Sequence, residues 1–283
     1  MSGETLAAGT TMGPVHLTVA SLERSWDWYR EAIGLRLLRQ DSGRLSLGTP
    51  ERELLVLYEE RGARPAPRTT GLYHFALLLP HRRDLGRWLA HAGKRQVPLT
   101  GMSDHFVSEA LYLNDPDEHG IEIYWDRPRE FWEGQVATRL TSLPLDTSGL
   151  LAEVESGSPA FEHLPEATVM GHVHLRVAEI PGTLEFYRDI LGFGLMAQFR
   201  QAAFLGAGGY HHHLGANTWE SAGGRPAPAG AAALRHATLV LPELADRDDL
   251  LARLERRAVK IENTDAGPLV RDPSGNALVL ALR

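Results

Sequence analysis

GPVHLTVASLERSWDWYREAIGLRLL (13–38) and GHVHLRVAEIPGTLEFYRDILGFGLM (171–196) are two copies of one sequence unit. Each copy starts with alternating apolar and polar residues, which is the period of two expected of a strand. Apolar residues at helical spacing follow, and Gly34 stands where a helix typically ends. The repeat predicts a fold assembled from strand–helix units that occur more than once.

Two further segments start in the same way and extend the repeat to four copies. GLYHFALLLP (71–80) and ALRHATLVLP (233–242) each begin as a strand and run through a helical stretch to a closing hairpin. We therefore expect an α+β fold of four strand–helix–strands modules, numbered one to four, at about 13–60, 70–126, 169–220 and 233–283. The segment 127–168 is the long connection between the halves.

Composition and charge narrow the class of partner. The 283 residues carry a net charge of −7 with Lys and Arg scattered, so we expect a small-molecule ligand and neither nucleic acid nor a membrane surface. The chain has no cysteine, so any metal site must use His, Asp or Glu. Residues 1–12 lack the basic start and apolar core of a signal peptide. We expect them to be a loose tail and the protein to be cytoplasmic.

Glu122 is the most informative single residue. It stands between Ile121 and Ile123 in an otherwise apolar strand, where an ionised carboxylate must be paired, hydrogen-bonded or bound to a metal. His74 lies in the first strand of the same module. A half-exposed strand would instead leave Glu122 on the surface, and a lone strand histidine is more often structural. The joint occurrence of the two residues in one module favours a metal site.

Four modules with histidines in first strands and a glutamate in a last strand resemble the vicinal oxygen chelate superfamily, and the two-domain form resembles the extradiol (catechol 2,3-) dioxygenases. The resemblance covers the whole folded chain. It implies βαβββ modules paired into two half-barrel, glyoxalase-like domains, which we place at 1–126 and 169–283 with 127–168 as the linker. It also makes His74 and Glu122 metal ligands, and a first-strand histidine of the partner module the third.

The resemblance leaves two candidates for the third ligand. If neighbours in sequence pair, the ligand is His16, and if modules two and three pair, it is His174. Module four carries Val279 where Glu122 should recur, so only a pair that contains module two can be complete. Extradiol dioxygenases also carry an acid–base histidine, often in a His-His pair, on the fourth strand of the module that gives the first ligand. Module three has such a run at 211–213, which favours His174.

The same resemblance assigns three catalytic residues. His212 aligns best with the acid–base histidine, although the alignment of the run His211-His212-His213 can shift by one residue. On a strand, His211 and His213 would face one way and His212 the other. Tyr112 precedes Glu122 by ten residues, as in the family, and His105 lies upstream at a slightly shorter spacing. Both would hydrogen-bond the substrate. Tyr112 as a core residue and the histidine run as an exposed strand are the competing interpretations.

Two imidazoles and one carboxylate are the ligand set of non-haem Fe(II) oxygenases. The resemblance thus implies an Fe(II) enzyme, with Mn(II) as the alternative metal, that opens a small aromatic diol with O2. A homo-oligomer is left open. One alternative is a metal-dependent glyoxalase-type isomerase or lyase with Glu59 as a fourth ligand. The other is a drug-binding resistance protein without turnover, which would need neither iron nor His74.

Overall fold

The computed structural model describes residues 5–154 and 161–283, which form an α+β fold on two curled sheets, each a half-barrel. The four predicted modules are all present. Module one comprises β1 (Thr11–Met12), β2 (Val15–Val19), α1 (Leu22–Trp28), β3 (Arg36–Asp41), β4 (Arg44–Thr49) and β5 (Arg52–Glu59). Module two comprises β6 (Gly71–Leu78), α2 (Arg82–Arg95), β7 (Gly101–Asp104), β8 (Ser108–Asn114) and β9 (Gly120–Asp126).

The second half of the chain repeats this order. The connection carries three short helices, α3 (Arg129–Trp132), α4 (Val136–Arg139) and α5 (Thr147–Ala152), and its residues 155–160 lie outside the described residues. Module three comprises β10 (Val169–Arg176), α6 (Ile180–Leu184), β11 (Gly194–Phe199), β12 (Ala202–Gly206) and β13 (Leu214–Asn217). Module four comprises β14 (Leu234–Leu241), α7 (Leu244–Arg256), β15 (Glu262–Thr264), β16 (Gly267–Arg271) and β17 (Ala277–Leu282).

The two copies that revealed the repeat share an irregular helix. Both α1 and α6 continue directly as π-helical turns, at Tyr29–Ile33 and Glu185–Ile190. The first turn ends at Gly34, whose φ of 86° lies in the left-handed region that glycine adopts without a steric penalty. Each π turn carries a buried tyrosine, Tyr29 or Tyr187, that packs in the core.

The sheets join modules two and three, and modules one and four. In the described residues, the eight-stranded sheet has the order β11-β12-β13-β10-β6-β9-β8-β7, and the nine-stranded sheet has the order β15-β16-β17-β14-β2-β5-β4-β3 with β1 beside β14. The pairing of sequence neighbours, as in the domains 1–126 and 169–283, is therefore not the pairing within the sheets. The first strand of each module has one edge that needs a partner strand, and the first strand of any other module can fill it. The repeat alone therefore does not determine which modules share a sheet.

Sequence neighbours are instead tied through their helices and hairpin turns. The Tyr29 hydroxyl of module one donates to Asp115 of module two over 2.9 Å. The Tyr187 hydroxyl of module three donates to Asp272 of module four over 3.1 Å. All four side chains are buried. Each module thus has one partner in its sheet and another through this contact.

The expectation of a loose tail at residues 1–12 was wrong for the part that the structure describes. Leu6 and Met12 are buried in the main core, and β1 pairs with β14. The segment covers the free edge of the first strand of module four, where unpaired backbone groups would otherwise remain. Among residues 5–154 and 161–283, no helix combines the length and the apolar character needed to cross a membrane.

Candidate metal centre and its cavity

Three buried side chains converge in the eight-stranded sheet: His74 from β6, Glu122 from β9 and His172 from β10. One ligand atom of each lies within 4.8 Å of the others. The Nε2 atoms of His74 and His172 lie 2.9 and 3.0 Å from the same carboxylate oxygen, Oε2 of Glu122. Within the described part of the chain, this is the one group of three or more His, Asp or Glu side chains found at metal-binding spacing.

The strand register brings these residues together. His172 lies opposite Ala76 across the antiparallel β10–β6 pair, and Ala76 lies opposite Glu122 across the parallel β6–β9 pair. Residues two apart on a strand share a face, so His74 lies on the same face as Ala76. The three ligand-bearing strands are adjacent in the sheet, and their side chains therefore meet without any contribution from a loop.

The chemistry of this cluster fits a divalent transition metal. The Nε2 atom of His74 is buried without a hydrogen bond, although it lies close to the carboxylate of Glu122. Buried polar atoms in proteins nearly always have partners, and two imidazoles aimed at one carboxylate oxygen leave lone pairs for a cation between them. Burial raises the pKa of Glu122, but His172 and His74 more than offset this and hold it well below its usual value. The carboxylate is therefore ionised at neutral pH.

His174, predicted as the third ligand, lies outside this cluster. Its ring centre is 5.0 Å from that of His74, the residue directly opposite in the β10–β6 pair, but its Nε2 has no partner. Alignment of GHVHL with the first strands of the other modules singled out the second histidine of the motif. A register shift between Met170 and His172 places the first histidine beside Glu122 instead. The sequence did contain a signal for His172, because His172 and His174 are two residues apart on one strand and so share a face.

His16, the alternative third ligand, belongs to the other sheet. It lies opposite His236 in the β2–β14 pair, as His74 lies opposite His174, and the two rings stack with centres 3.9 Å apart. Val279 is opposite Thr238 there, the position that Glu122 occupies opposite Ala76. The nine-stranded sheet therefore repeats the histidines but has a valine in place of the carboxylate.

Glu59, the candidate fourth ligand, is also in the nine-stranded sheet. Its carboxylate accepts a hydrogen bond from the backbone N–H of Leu22 at the start of α1 and pairs with Arg61. These contacts give the carboxylate a structural role at a helix N-terminus, where negative charge is favourable. The structure does not bring Glu59 to the cluster of His74, Glu122 and His172.

Tyr112 and His105, the two residues predicted to hydrogen-bond the substrate, lie close to the cluster, with the ring centre of Tyr112 5.5 Å from that of His74. Tyr112 lies directly opposite Glu122 in the β8–β9 hairpin, which explains their separation of ten residues. The hydroxyl of Tyr112 is 2.7 Å from Nε2 of His105, and Nδ1 of His105 is 2.6 Å from the carbonyl oxygen of Thr141. Because that carbonyl only accepts, Nδ1 carries the hydrogen and Nε2 accepts from the tyrosine when the ring is neutral.

The run 211–213 is not a strand, because β13 begins only at Leu214. The alternation expected for its three histidines therefore does not apply, and each side chain has a different environment. His212 lines the cavity next to the cluster, with its ring centre 4.1 Å from that of His172. His211 contacts Asp126, and Nδ1 of His213 accepts a hydrogen bond from the backbone N–H of Ala207. Burial and neighbouring histidines lower the pKa of His212 well below its usual value.

A cavity of about 990 Å³ adjoins the cluster. His74, Glu122 and His172 lie in its wall together with His105, Tyr112 and His212, and the aromatic side chains Tyr73, Phe204 and Trp219 line it as well. This combination of apolar walls and a few convergent polar groups is typical of a site for a small organic molecule.

Acidification from about pH 7.5 to about pH 5 is expected to destabilise the metal-free protein. Burial, with nearby positive groups, lowers the pKa of His16 and of His213 to about 3, whereas both rings have ordinary values near 6.5 in the unfolded chain. Below pH 6.5 the unfolded chain therefore binds more protons, and the free energy of unfolding falls by about 2 kcal/mol per histidine at pH 5. Urea denaturation at the two pH values measures the change.

The control for that prediction is His213→Asn, whose amide oxygen can accept from the Ala207 N–H in place of Nδ1. This variant should lose a smaller part of its stability on acidification than the parent protein. An unfolding free energy that does not fall between the two pH values would contradict the prediction.

Comparison with known proteins identifies the family of the chain. The family described as Glyoxalase/Bleomycin resistance protein/Dioxygenase superfamily matches residues 11–123 and 169–280. A curated protein named catechol-2,3-dioxygenase, from Bacillus subtilis (strain 168), is 38% identical over 279 residues, which covers 95% of this chain and 96% of that protein. The two matched ranges include every residue of the cluster.

Solved structures share the fold at lower sequence identity. A candidate dioxygenase from Bacillus subtilis subsp. subtilis str. 168 superposes with a TM-score of 0.69 at 16% identity, over 99% of this chain and 86% of that one. Glyoxalase I from Zea mays superposes with a TM-score of 0.58 at 16% identity, over 96% and 92% of the two chains. These likenesses concern the fold alone. The family match over both halves and the 38% identical relative show that the chain belongs to the glyoxalase, bleomycin resistance protein and dioxygenase superfamily.

Proposed function

We propose that the protein is an Fe(II)-dependent extradiol dioxygenase that opens the ring of a catecholic substrate with O2. The observation that carries the proposal is the buried cluster of His74, Glu122 and His172 in the wall of a large cavity. The name of the 38% identical relative, catechol-2,3-dioxygenase, supports the same reaction. Mn(II) is the alternative metal, since the same donors bind it.

His74, Glu122 and His172 would hold the metal. Fe(II) held by these two imidazoles and one carboxylate would bind the diol and O2 together and let electron density pass from the diol to O2. The remaining residues of the cavity wall bind and orient the substrate. The aromatic rings of Tyr73, Phe204 and Trp219 offer flat apolar surfaces on which an aromatic ring packs.

His212 is the proposed acid–base residue. Its ring lines the cavity beside His172, within reach of a ligand held by the cluster, and its lowered pKa leaves it as the neutral imidazole that can accept a proton. Removal of a proton from one hydroxyl of the diol concentrates negative charge on the ring and makes it a better electron donor. The same residue can return the proton to a product oxygen.

Tyr112 and His105 are proposed to hydrogen-bond an oxygen of the diol. They lie on the opposite side of Glu122 from β6, and their mutual hydrogen bond holds the hydroxyl of Tyr112 in place before substrate binds. A polar group that is already ordered costs less to use in binding.

The glyoxalase-type alternative has no comparable support. It needs a fourth protein ligand, and its candidate Glu59 lies in the other sheet. The drug-binding alternative requires neither a metal nor His74, whereas His74 is buried in the cluster.

Anaerobic loading with Fe(II), followed by catechol and air, tests the proposal. We expect uptake of one O2 per catechol and a coloured ring-fission product, with no turnover by the metal-free protein. Zn(II)-loaded protein is the control, because zinc has the same charge but no redox chemistry. Turnover of a glyoxalase substrate without O2 uptake would contradict the proposal.

A further inference from the structure

A chain of hydrogen bonds runs from the cavity into the protein behind His212. Nδ1 of His212 lies 2.8 Å from Nδ1 of His211, and Nε2 of His211 lies 2.8 Å from Oδ1 of Asp126. The other carboxylate oxygen of Asp126 accepts from the hydroxyl of Tyr210, also over 2.8 Å, and that hydroxyl is 2.8 Å from the hydroxyl of Tyr124. None of the roles assigned above uses His211, Asp126 or Tyr210.

The side chain of His211 is fully buried and packed against two aromatic rings. The ring of Tyr210 lies over it with centres 4.1 Å apart, and the ring of Trp132 meets it at an angle of 74° with centres 5.4 Å apart. Its two nitrogens have one hydrogen-bonding partner each, the carboxylate on one side and His212 on the other. Packing therefore prevents the ring from turning away to find other partners.

Hydrogen-bond chemistry determines where the hydrogens sit along this chain. An ionised carboxylate only accepts, so Nε2 of His211 carries a hydrogen toward Asp126. In a neutral imidazole the other nitrogen is then bare, so Nδ1 of His211 accepts. The hydrogen between the two rings must consequently belong to Nδ1 of His212, and Nε2 of His212 is left without one.

We propose that Asp126, acting through His211, is a positioning residue that keeps the hydrogen of His212 on Nδ1 and so presents a bare Nε2 to the cavity. The inference deepens the proposed function, because a base must offer a lone pair at the atom that faces its substrate. Neither Asp126 nor His211 contacts the substrate. When His212 gains a proton at Nε2, its Nδ1–H still donates to His211, and the carboxylate of Asp126 stabilises the added positive charge through that ring.

The first test reads the tautomer directly in the metal-free protein. Nitrogen-15 NMR of histidine-labelled protein distinguishes a ring that carries its hydrogen on Nδ1 from one that carries it on Nε2. We expect the Nδ1–H form for His212, assigned by comparison with His212→Gln. In Asp126→Leu the acceptor is gone, and we expect the hydrogen of His211 to move from Nε2 to Nδ1 and His212 to switch to the Nε2–H form.

Tyr210→Phe is the matched control. It removes the other hydrogen bond to Asp126 but leaves the acceptor for His211, so His212 should keep the wild-type tautomer. Wild-type His212 in the Nε2–H form would overturn the proposal, and this reading does not require a folded Asp126→Leu variant. An unchanged tautomer in a folded Asp126→Leu variant would overturn it too.

The second test uses the Fe(II)-loaded enzyme. Asp126→Leu should lower kcat for catechol by roughly 100-fold, the lower end of the contribution of acid–base catalysis, while KM and iron content stay near wild type. In a His212→Gln background the same substitution should cost little more, because the group that it positions is already absent. Full additivity of the two losses would overturn the proposal. An enzyme that shows the expected tautomers but no ring cleavage would instead refute the proposed function.

Discussion

His172→Ala is expected to abolish tight binding of Fe(II) and with it the dioxygenase activity, whereas His174→Ala is expected to retain the metal. The structure places the Nε2 atom of His172, not that of His174, in the cluster with His74 and Glu122. Loss of a residue that merely supports a ligand typically costs 10- to 100-fold in metal affinity, so loss of a ligand should cost more than roughly 100-fold. Titration of the metal-free protein with Fe(II) under anaerobic conditions measures the difference.

The pair of variants is matched, because both side chains are buried imidazoles on the same face of β10. Thermal unfolding of both metal-free variants controls for a general loss of stability. If His174→Ala lost more metal affinity than His172→Ala, the cluster would be assigned to the wrong histidine. Activity of either variant adds a second reading, since turnover requires the loaded metal.

Gly120→Ala is expected to destabilise the protein by about 3 kcal/mol, at the upper end of typical overpacking costs. Gly120 lies opposite His74 between β6 and β9, and an added Cβ would stand 2.1 Å from the carbonyl oxygen of Tyr73 and 3.2 Å from Cβ of His74. The obstacle is backbone, so the two strands would have to separate. Since these strands carry His74 and Glu122, the variant should also bind metal more weakly. Chemical denaturation and metal titration measure the two effects.

Gly93→Ala is the matched control, because it makes the same substitution at a site with free space. Gly93 is exposed in α2, and an added Cβ there meets nothing within 4 Å. Alanine is the better helix former, so this variant should gain about 1 kcal/mol. Equal effects of the two substitutions would show that the strands around the cluster tolerate more movement than their spacing indicates.

Much of the fold follows from local sequence. The repeat of 13–38 in 171–196, with its alternation and helical spacing, predicted modules that the structure confirms, because periods of two and 3.6 report which faces are buried. The relation of Tyr112 to Glu122 was equally local. Two residues ten apart that flank a tight turn become direct neighbours across a hairpin, and no distant contact is needed to bring them together.

The sequence by itself determined the four modules and the type of donor available to a metal, and it singled out His74 and Glu122, two of the three residues of the cluster. Only the tertiary structure decided that modules two and three share a sheet, that His172 completes the cluster and that His212 rather than its neighbours lines the cavity. The physical reason is the same in each case. The first strands have equivalent edges, which can pair with more than one other module. A shift of register in β10 brings His172, rather than His174 on the same face, into contact with Glu122. Such choices depend on residues distant in the chain, which no local pattern records.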